Sequence, residues 1–355
     1  MKGGIDSTFR GSAAITGGTL AVLLFLAWAA PILISKPYGR LPANIVAVSR
    51  GRAIFFNAAV TGYYERLFQK IPVQRHARIF DSFRVLRLRP NSTPTINRFG
   101  FTGPEYSIAR PPDTRRVALL GDSLTQGVAV EVTRLYGSLL QDRLNEVHPL
   151  GPQQRFEVMN FAIGGYKITE ITDVALVDAH RFQPDVYMLA LTELAVYINW
   201  SVHLSELVQK GLDPKYDFLR DIVRRAGAKK TDDTLTLNAK FAPYRLPVLR
   251  WGLETLNSLA QRDHARFIVL LMPSVQDGDV SRRRFEGIPA LLASLGVPAV
   301  DLLDTFAGIA DPERLRINPF DVHPNTEGHA MIFENLYARL RAQPDLWQAV
   351  TGASH

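Results

Sequence analysis

Two short polar segments carry the residue types that nucleophilic catalysis by a serine requires. Residues 121–127 read Gly-Asp-Ser-Leu-Thr-Gln-Gly and place Ser123 directly after an apolar run, at a predicted strand-to-helix turn. Residues 318–329, near the other end of the chain, contain Asp321 and His323. A serine hydroxyl is a weak nucleophile and needs a base. His323 can accept the Ser123 proton, while Asp321 can fix the imidazole tautomer and stabilise its cation.

Each motif also has an interpretation without catalysis. Asp122 or Ser123 can cap a helix, and for Asp122 we favour capping or turn support. A histidine before a proline is common in loops, so the pairing of His323 with Ser123 carries the catalytic hypothesis. We expect His329 to be a packing residue at a helix end.

Two other known motifs do not fit the segment 121–127. A phosphate-binding loop would need Gly-Lys-Ser/Thr, and the α/β-hydrolase elbow would need glycine where this chain has Thr125.

The elements that must position these residues alternate between apolar runs and helical spacing. Five runs are predicted as buried strands: 117–120, 156–161, 186–191, 267–272 and 297–303. Five segments have helical spacing: 133–147, 168–182, 246–261, 282–295 and 325–341. This alternation predicts an α/β domain with a parallel sheet in the order 2-1-3-4-5, covered on both faces. Ser123 and His323 should then meet at the carboxyl edge of the sheet, and residues 200–244 form an insertion on the surface.

Composition narrows the class of protein. The chain has 355 residues, of which 46% are hydrophobic and 21% are charged, which is typical of a globular protein. It contains no cysteine, so disulfide scaffolds, thiol catalysis and cysteine-based zinc sites are excluded. We expect no cofactor and no metal.

Residues 12–35 contain no charged side chain and predict a transmembrane helix of about 36 Å, enough to span a bilayer. A cleaved secretory signal is the alternative, because Lys2 and Arg10 precede the run and 27–29 resembles a cleavage site. We favour an uncleaved anchor, since the apolar run continues through residues 31–34.

Residues 36–116 carry fifteen basic and four acidic side chains, a net charge of +11 beside the predicted span. Either this is a solvated linker, or it contacts anionic lipid headgroups or an acidic partner. No nucleic-acid-binding motif is present, and we expect no nucleic acid partner. Positive residues after the span favour a cytoplasmic domain, but that bias fades for long translocated domains. We therefore expect the large domain outside the cytoplasm, on the periplasmic side of an inner membrane.

The predicted organisation has five parts. A tail (1–11) and the anchor (12–35) precede a basic juxtamembrane adapter (36–115), in which residues 83–89 alternate apolar and basic as a half-buried strand would. The α/β domain follows (116–345), and then a C-terminal tail (346–355).

The two motifs resemble those of the SGNH, or GDSL-type, hydrolase family. Gly-Asp-Ser-Leu at 121–124 and Asp-x-His-Pro-Asn at 321–325 carry the resemblance, which spans residues 117–341. Residues 97–105 also resemble the lead-in of membrane-anchored bacterial members. The resemblance implies a flavodoxin-like three-layer α/β/α sandwich and metal-free hydrolysis of esters, lipids or acetylated carbohydrates.

The resemblance also assigns roles to individual residues. Ser123 falls on the nucleophile, whose amide donates to the oxyanion, Gly165 on the glycine that supplies a second amide, and His323 on the general base. The family's acid most often lies three residues before the histidine, where this chain has Phe320, so Asp321 must act from two residues before it.

The third family block, usually Gly-x-Asn-Asp, is the main departure. Here it reads Thr-Glu-Leu-Ala at 192–195, so Leu194 replaces an asparagine that donates to the oxyanion. Losing one such donor typically costs about 10² to 10³ in turnover. We expect Glu193 to oppose the oxyanion charge, and Asn199 is a candidate replacement donor.

Two functional hypotheses follow. In the first, the protein is a membrane-anchored serine esterase that removes acetyl groups from a glycan or a related small ester. In the second, it is a non-catalytic subunit of a larger membrane complex, bound through the bilayer span and the basic segment.

Overall fold

The structure, a computed structural model, describes residues 78–196, 200–275, 282–318 and 321–353. The predicted tail 1–11, the predicted span 12–35 and Asn199 lie outside these residues. Within the described ranges, no helix combines the length and apolar character needed to span a membrane.

The domain is built on a five-stranded parallel sheet. Its strands are β3 (Thr114–Leu120), β4 (Arg155–Asn160), β5 (Val186–Leu191), β6 (Arg266–Leu271) and β7 (Ala299–Asp301). They lie in the order β4-β3-β5-β6-β7, and every neighbouring pair is parallel. This is the predicted order 2-1-3-4-5, so the predicted strands and sheet topology are confirmed.

Side chains of the central strand alternate between two buried layers. Leu189 points into one apolar cluster, and Met188 and Ala190 point into the other, with all three fully buried. A strand that is buried on both faces needs helices above and below it, which explains its continuous apolar sequence.

Helices supply both covering layers. They are α1 (Ser123–Gln126), α2 (Tyr136–Val147), α3 (Ile168–Val177), α4 (Glu193–Val196), α5 (Val202–Lys210), α6 (Asp217–Arg225), α7 (Thr234–Phe241), α8 (Arg245–Arg262), α9 (Ile288–Ser294), α10 (Thr326–Arg341) and α11 (Pro344–Thr351). Apolar residues of α3, α8 and α9 cover one face, and those of α2, α10 and α11 cover the other. The result is the three-layer sandwich expected from the sequence.

Part of the predicted adapter belongs to this domain. A hairpin of β1 (Arg78–Asp81) and β2 (Val85–Leu88) precedes the sheet. Phe83 and Leu88 are buried in the same apolar cluster as α3 and α8. Further along, Phe101 packs edge-on against Phe161, with ring centroids 5.0 Å apart. The predicted boundary between residues 115 and 116 therefore does not separate the hairpin from the domain.

The predicted alternation over residues 83–89 holds only in part, because Arg84 is buried. Its guanidinium lies 2.5 Å from Asp173 and 2.6 Å from Asp178, and its side chain is 4% exposed. Lys215 also contacts Asp173, at 2.6 Å. A basic residue in a period-two pattern suggests a solvent-facing position, but two carboxylates on and after α3 hold this one inside the domain.

The predicted insertion, residues 200–244, forms helices α5, α6 and α7. One face of each is buried, as Leu204, Leu219 and Phe241 show. The insertion therefore contributes to the core on one side of the sheet.

The predicted C-terminal tail is a helix through residue 351. Trp347 and Val350 of α11 are buried against α10, and Arg115 donates to the carbonyls of Ala349 and Val350 at 2.6 and 2.7 Å. The prediction of a tail over 346–355 is therefore wrong for residues 346–351, because apolar side chains spaced by helical turns anchor them.

Candidate active site

Ser123 is the first residue of α1, directly after β3. Asp122 caps this helix, since one of its carboxylate oxygens accepts the Leu124 amide at 3.0 Å. Its other oxygen accepts the Thr192 hydroxyl. Asp122 is buried, and burial raises the pKa of its carboxyl. The preference for capping over chemistry at Asp122 agrees with this geometry.

His323 brings the two sequence motifs together. Its Nε2 lies 2.6 Å from Ser123 Oγ, although the two residues are 200 positions apart. On the other side of the ring, Nδ1 contacts Asp321 Oδ1. Serine, histidine and aspartate thus form one continuous hydrogen-bonded chain at the carboxyl edge of the sheet.

The spacing of two residues between Asp321 and His323 is accommodated by a tight turn. Asp321 Oδ1 also accepts the backbone N–H of His323, at 2.9 Å. The loop is held in place because the Val322 carbonyl accepts the Val275 amide at 3.0 Å. Only 5% of the Asp321 side chain is exposed, against 18% for His323. An aspartate two residues before the histidine can therefore contact the imidazole Nδ1, although the family's acid most often lies three residues before it.

Gly164 and Gly165 form the loop after β4, beside Ser123. A Cβ on Gly164 would lie 3.3 Å from the Ser123 Cβ and 2.9 Å from Gln126 Oε1, so only glycine fits without a shift. Gln126 Oε1 accepts the Gly164 amide at 2.6 Å. Gly165 is exposed and has a φ of +92°, which favours glycine.

Leu194 occupies the position of the family asparagine, at the start of the segment after β5. Its carbonyl accepts a hydrogen bond from Lys167 Nζ at 2.6 Å. Lys167 is buried between the loop after β4 and the loop after β5. Burial lowers the pKa of its ammonium, while the carboxylates of Asp122 and Glu170 act in the opposite direction.

Glu193 does not face the site as an uncompensated charge, which corrects the expectation that it opposes the oxyanion. Its Oε1 lies 2.7 Å from Arg284 and accepts the Ser274 hydroxyl at 3.2 Å. The Arg284 guanidinium compensates the charge of the Glu193 carboxylate. The same ion pair links the segment after β5 to the segment before α9.

His329 lies in the first turns of α10 and stacks on Tyr136, with ring centroids 5.8 Å apart. It is 1% exposed, and its Nδ1 accepts the Tyr136 amide at 3.4 Å. Burial, together with the charge of His323, lowers the pKa of His329 to about 4. The predicted packing role is confirmed.

Three residues that contact the motif loops were not identified from the sequence. They are Gln126, Lys167 and Arg284. Gln126 lies within the segment 121–127 and Lys167 follows Gly165 by two residues, but the sequence assigned neither of them a role, and Arg284 lies far from both segments. Within the described ranges, no group of three or more histidine, aspartate or glutamate side chains is arranged to hold a metal ion.

Comparison with solved structures finds esterases of low sequence identity. One is the psychrotrophic esterase EstA from Pseudoalteromonas sp., inhibited by monoethylphosphonate (13% identity, 64% of this chain and 97% of that chain, TM-score 0.42). Another is a catalytic mutant of Axe2, an acetylxylan esterase from Geobacillus stearothermophilus (14% identity, 64% and 94%, TM-score 0.43). A third is a two-domain esterase active on acetylated mannans (18% identity, 64% and 49%, TM-score 0.40).

No curated protein sequence matches the chain significantly. The model of the GDSL-like lipase/acylhydrolase family, in contrast, matches residues 119–331, which is more than half of the chain and includes both motifs. The expected enzyme class, a serine esterase of the SGNH type, is confirmed by this match, and the chain belongs to the GDSL-like lipase/acylhydrolase family.

Proposed function

We propose that the protein hydrolyses acetyl esters on a glycan, using Ser123 as nucleophile, His323 as general base and Asp321 as the residue that orients the imidazole. The observation that carries the proposal is the hydrogen-bonded chain from Ser123 Oγ through His323 to Asp321, with 2.6 Å between Oγ and Nε2.

The geometry suits an acyl-enzyme mechanism. Ser123 Oγ attacks the ester carbonyl carbon while its proton passes to His323 Nε2. Asp321 accepts from Nδ1 and stabilises the imidazolium that forms. The tetrahedral intermediate then expels the alcohol, which takes the proton from Nε2. Water, deprotonated by His323, attacks the acetyl-serine in the same way and releases acetate.

The oxyanion requires donors beside Ser123. The first amides of a helix have no intrahelical acceptor, so the Ser123 N–H at the start of α1 is suited to this role. The Gly165 amide is the proposed second donor. Its neighbour Gly164 is fixed by Gln126, which holds the loop against Ser123. With leucine at position 194 in place of the family's asparagine, these two backbone donors predict slow turnover.

The glycan substrate is proposed from the family and from the openness of the described site. Gly165 is exposed, and Ser123 and His323 are partly exposed. A carbohydrate chain that carries a small acyl group can approach such a surface.

Turnover of a small acetyl ester tests the reaction. The full chain, purified in detergent, should hydrolyse p-nitrophenyl acetate, and Ser123→Ala should reduce the rate to the uncatalysed background. Ser294→Ala changes an exposed helix-end serine and is the matched control, which should keep the parent rate. Acetate release from acetylated xylan and acetylated mannan then tests the substrate class.

We also propose that residues 12–35 anchor the protein in the inner membrane with the domain outside the cytoplasm. The uncharged run of 24 residues supports a membrane span, and the side of the membrane is inferred from the short basic head before it. Protease added to spheroplasts should then digest the domain. Full protection, in a sample where a known periplasmic protein is cut, would reverse the proposed topology.

Two sequence features favour the non-catalytic alternative: the leucine at position 194 and the net charge of +11 over residues 36–116. If the protein is only a scaffold in a membrane complex, the parent and Ser123→Ala should release p-nitrophenol at the same rate. That result would overturn the proposed reaction.

A further inference from the structure

The loop after β4 ends in a four-residue turn beside the nucleophile. The Tyr166 amide donates to the Ile163 carbonyl at 3.2 Å, with Gly164 and Gly165 between them. Gly165, the third residue of the turn, has a φ of +92°, in the region that a type II turn uses at that position. The proposed second oxyanion donor is the N–H of this residue, so its direction depends on how the turn is held.

Gln126 holds the turn at Gly164. Its Oε1 accepts the Gly164 N–H at 2.6 Å. Because the Gly164 and Gly165 amides are one residue apart, holding the first at a fixed point limits how far the second can rotate. Gln126 lies in α1, three residues after Ser123, and is 6% exposed. One side chain, shielded from water, therefore ties the turn to the helix that begins with the nucleophile.

The other end of the Gln126 carboxamide faces the segment 97–105, whose sequence resembles a family lead-in. Because Oε1 accepts an N–H, the group directed at Thr102 Oγ1 is Nε2, at 3.4 Å. The same segment supports the loop at a second point, where Phe101 packs edge-on against Phe161, and both rings are buried. Residues 97–105 thus contact the start of the loop after β4 and, through Gln126, its turn.

Asn97 makes the segment 97–105 a rigid support. Its Oδ1 accepts the backbone N–H of Phe101 at 3.1 Å, and its Nδ2 donates to the Pro104 carbonyl at 3.1 Å. Asn97 is buried, so water competes little for these bonds. The two bonds hold the backbone on either side of Thr102.

We propose that residues 97–105 belong to the catalytic apparatus, with Gln126 and Thr102 as positioning residues that direct the Gly165 N–H at the oxyanion. When the bond between Ser123 Oγ and the ester carbonyl carbon forms, the carbonyl electron pair moves to oxygen. A donor that already points at this oxygen needs no reorganisation, whereas a donor that must first rotate stabilises the charge less. The inference rests on the proposed function, because it requires that Ser123 attacks an ester.

Gln126→Met tests the bond to the turn. Methionine has a similar length but no oxygen to accept the Gly164 N–H. We expect kcat for p-nitrophenyl acetate, measured with the full chain in detergent, to fall by about 10- to 100-fold with KM within about threefold of the parent. Gln141→Met is the matched control. It removes a carboxamide that accepts the Val158 N–H of β4 at 3.0 Å, and it should keep the parent kcat.

Inhibition by methylboronic acid separates oxyanion geometry from a loss of folded protein. Ser123 Oγ adds to the empty orbital of boron while its proton passes to His323, and the tetrahedral adduct places an oxygen where the oxyanion would lie. Its Ki should therefore rise in Gln126→Met by about the factor by which kcat/KM falls. Partial unfolding would lower the concentration of active enzyme and leave Ki unchanged, and that result would overturn the positioning role of Gln126.

Two substitutions at Thr102 test the link to the segment 97–105. Thr102→Val keeps the size of the side chain and removes the hydroxyl, so kcat should fall by about 2- to 10-fold, the effect of one neutral hydrogen bond. Thr102→Ser keeps the hydroxyl and should retain most of the parent kcat. Because Thr102 acts through Gln126, the double variant Thr102→Val with Gln126→Met should lose no more kcat than Gln126→Met alone. Additive losses would overturn the link.

The outcomes distinguish this inference from the proposed function. Turnover that depends on Ser123 but is unchanged in Gln126→Met would overturn the positioning role and leave the esterase intact. Parent turnover equal to that of Ser123→Ala would overturn both. If Gln126→Met does not fold, the Ki of methylboronic acid for Thr102→Val decides, and a value equal to that of the parent would overturn the inference.

Discussion

A single carboxylate oxygen of Asp321 accepts both the backbone N–H and the ring Nδ1 of His323. Because the same atom fixes the main chain and the imidazole, the turn and the histidine orientation are set together. This relationship explains how an acid two residues before the histidine can serve in place of one three residues before it.

Asp321→Asn should separate these two contacts. The asparagine oxygen can still accept the backbone N–H, so the turn should persist and the unfolding temperature should change little. The ring loses its carboxylate partner, and kcat should fall by about 10²- to 10⁴-fold. Kinetics with p-nitrophenyl acetate check the prediction, and Asp217→Asn, at an exposed position of α6, is the control. A kcat within threefold of the parent would exclude the orienting role.

Leu194→Asn should raise turnover. A side-chain amide at this position restores the family's third oxyanion donor, so we expect a gain of about tenfold or more in kcat. Leu194→Ala removes the same apolar side chain without adding a donor and should give no gain. Equal rates for the two variants would show that the backbone after β5 does not direct residue 194 towards the oxyanion.

His329 should make stability depend on pH. Its pKa is about 4 in the folded state and about 6.5 in the unfolded chain, so the unfolded chain binds the extra proton between these values. The free energy of unfolding should therefore fall by roughly 3 kcal/mol as the pH drops from 7 to 4. Denaturant unfolding at several pH values measures this loss.

His329→Gln is the control for that measurement. Glutamine does not titrate in this range, so the slope of unfolding free energy against pH should be smaller in the variant. Parallel curves for the parent and the variant would assign the acid sensitivity to other groups.

Arg84→Met should destabilise the domain strongly. The substitution leaves Asp173 and Asp178 near the core without the guanidinium that pairs with both, at an expected cost of about 3 to 5 kcal/mol. Arg87→Met is the matched control, because Arg87 is 39% exposed and lies 3.9 Å from Asp81. An exposed pair of that kind contributes about 0 to 1 kcal/mol. Equal unfolding temperatures for the two variants would contradict the structural role of Arg84.

The strands and the meeting of Ser123 with His323 were predictable because apolar runs in the local sequence identify the strands and a parallel sheet collects the residues that follow them. Continuous apolar runs such as 186–191 identify strands that are buried on both faces, and residues after parallel strands collect at one edge. The register of the sheet then brings together positions that are 200 residues apart.

The partners of buried charges were not predictable in the same way. Arg84 lies in an alternating pattern that indicates exposure, and Glu193 is the only charged residue in the segment 186–196. Their partners, Asp173 and Arg284, are distant in the sequence and have no fixed spacing from them. Pairing of this kind depends on the packing of separate segments, which a single sequence does not display.

The β1–β2 hairpin determines where the chain can be cut to obtain a soluble fragment. Phe83 and Leu88 fill the same core as the sheet helices, and Tyr166, next to Gly165, donates to the Leu86 carbonyl at 2.7 Å. A fragment that starts at residue 116 would expose that apolar surface and leave Asp173 without Arg84. Expression trials for crystallisation should therefore begin the chain upstream of Arg78, so that the hairpin is retained.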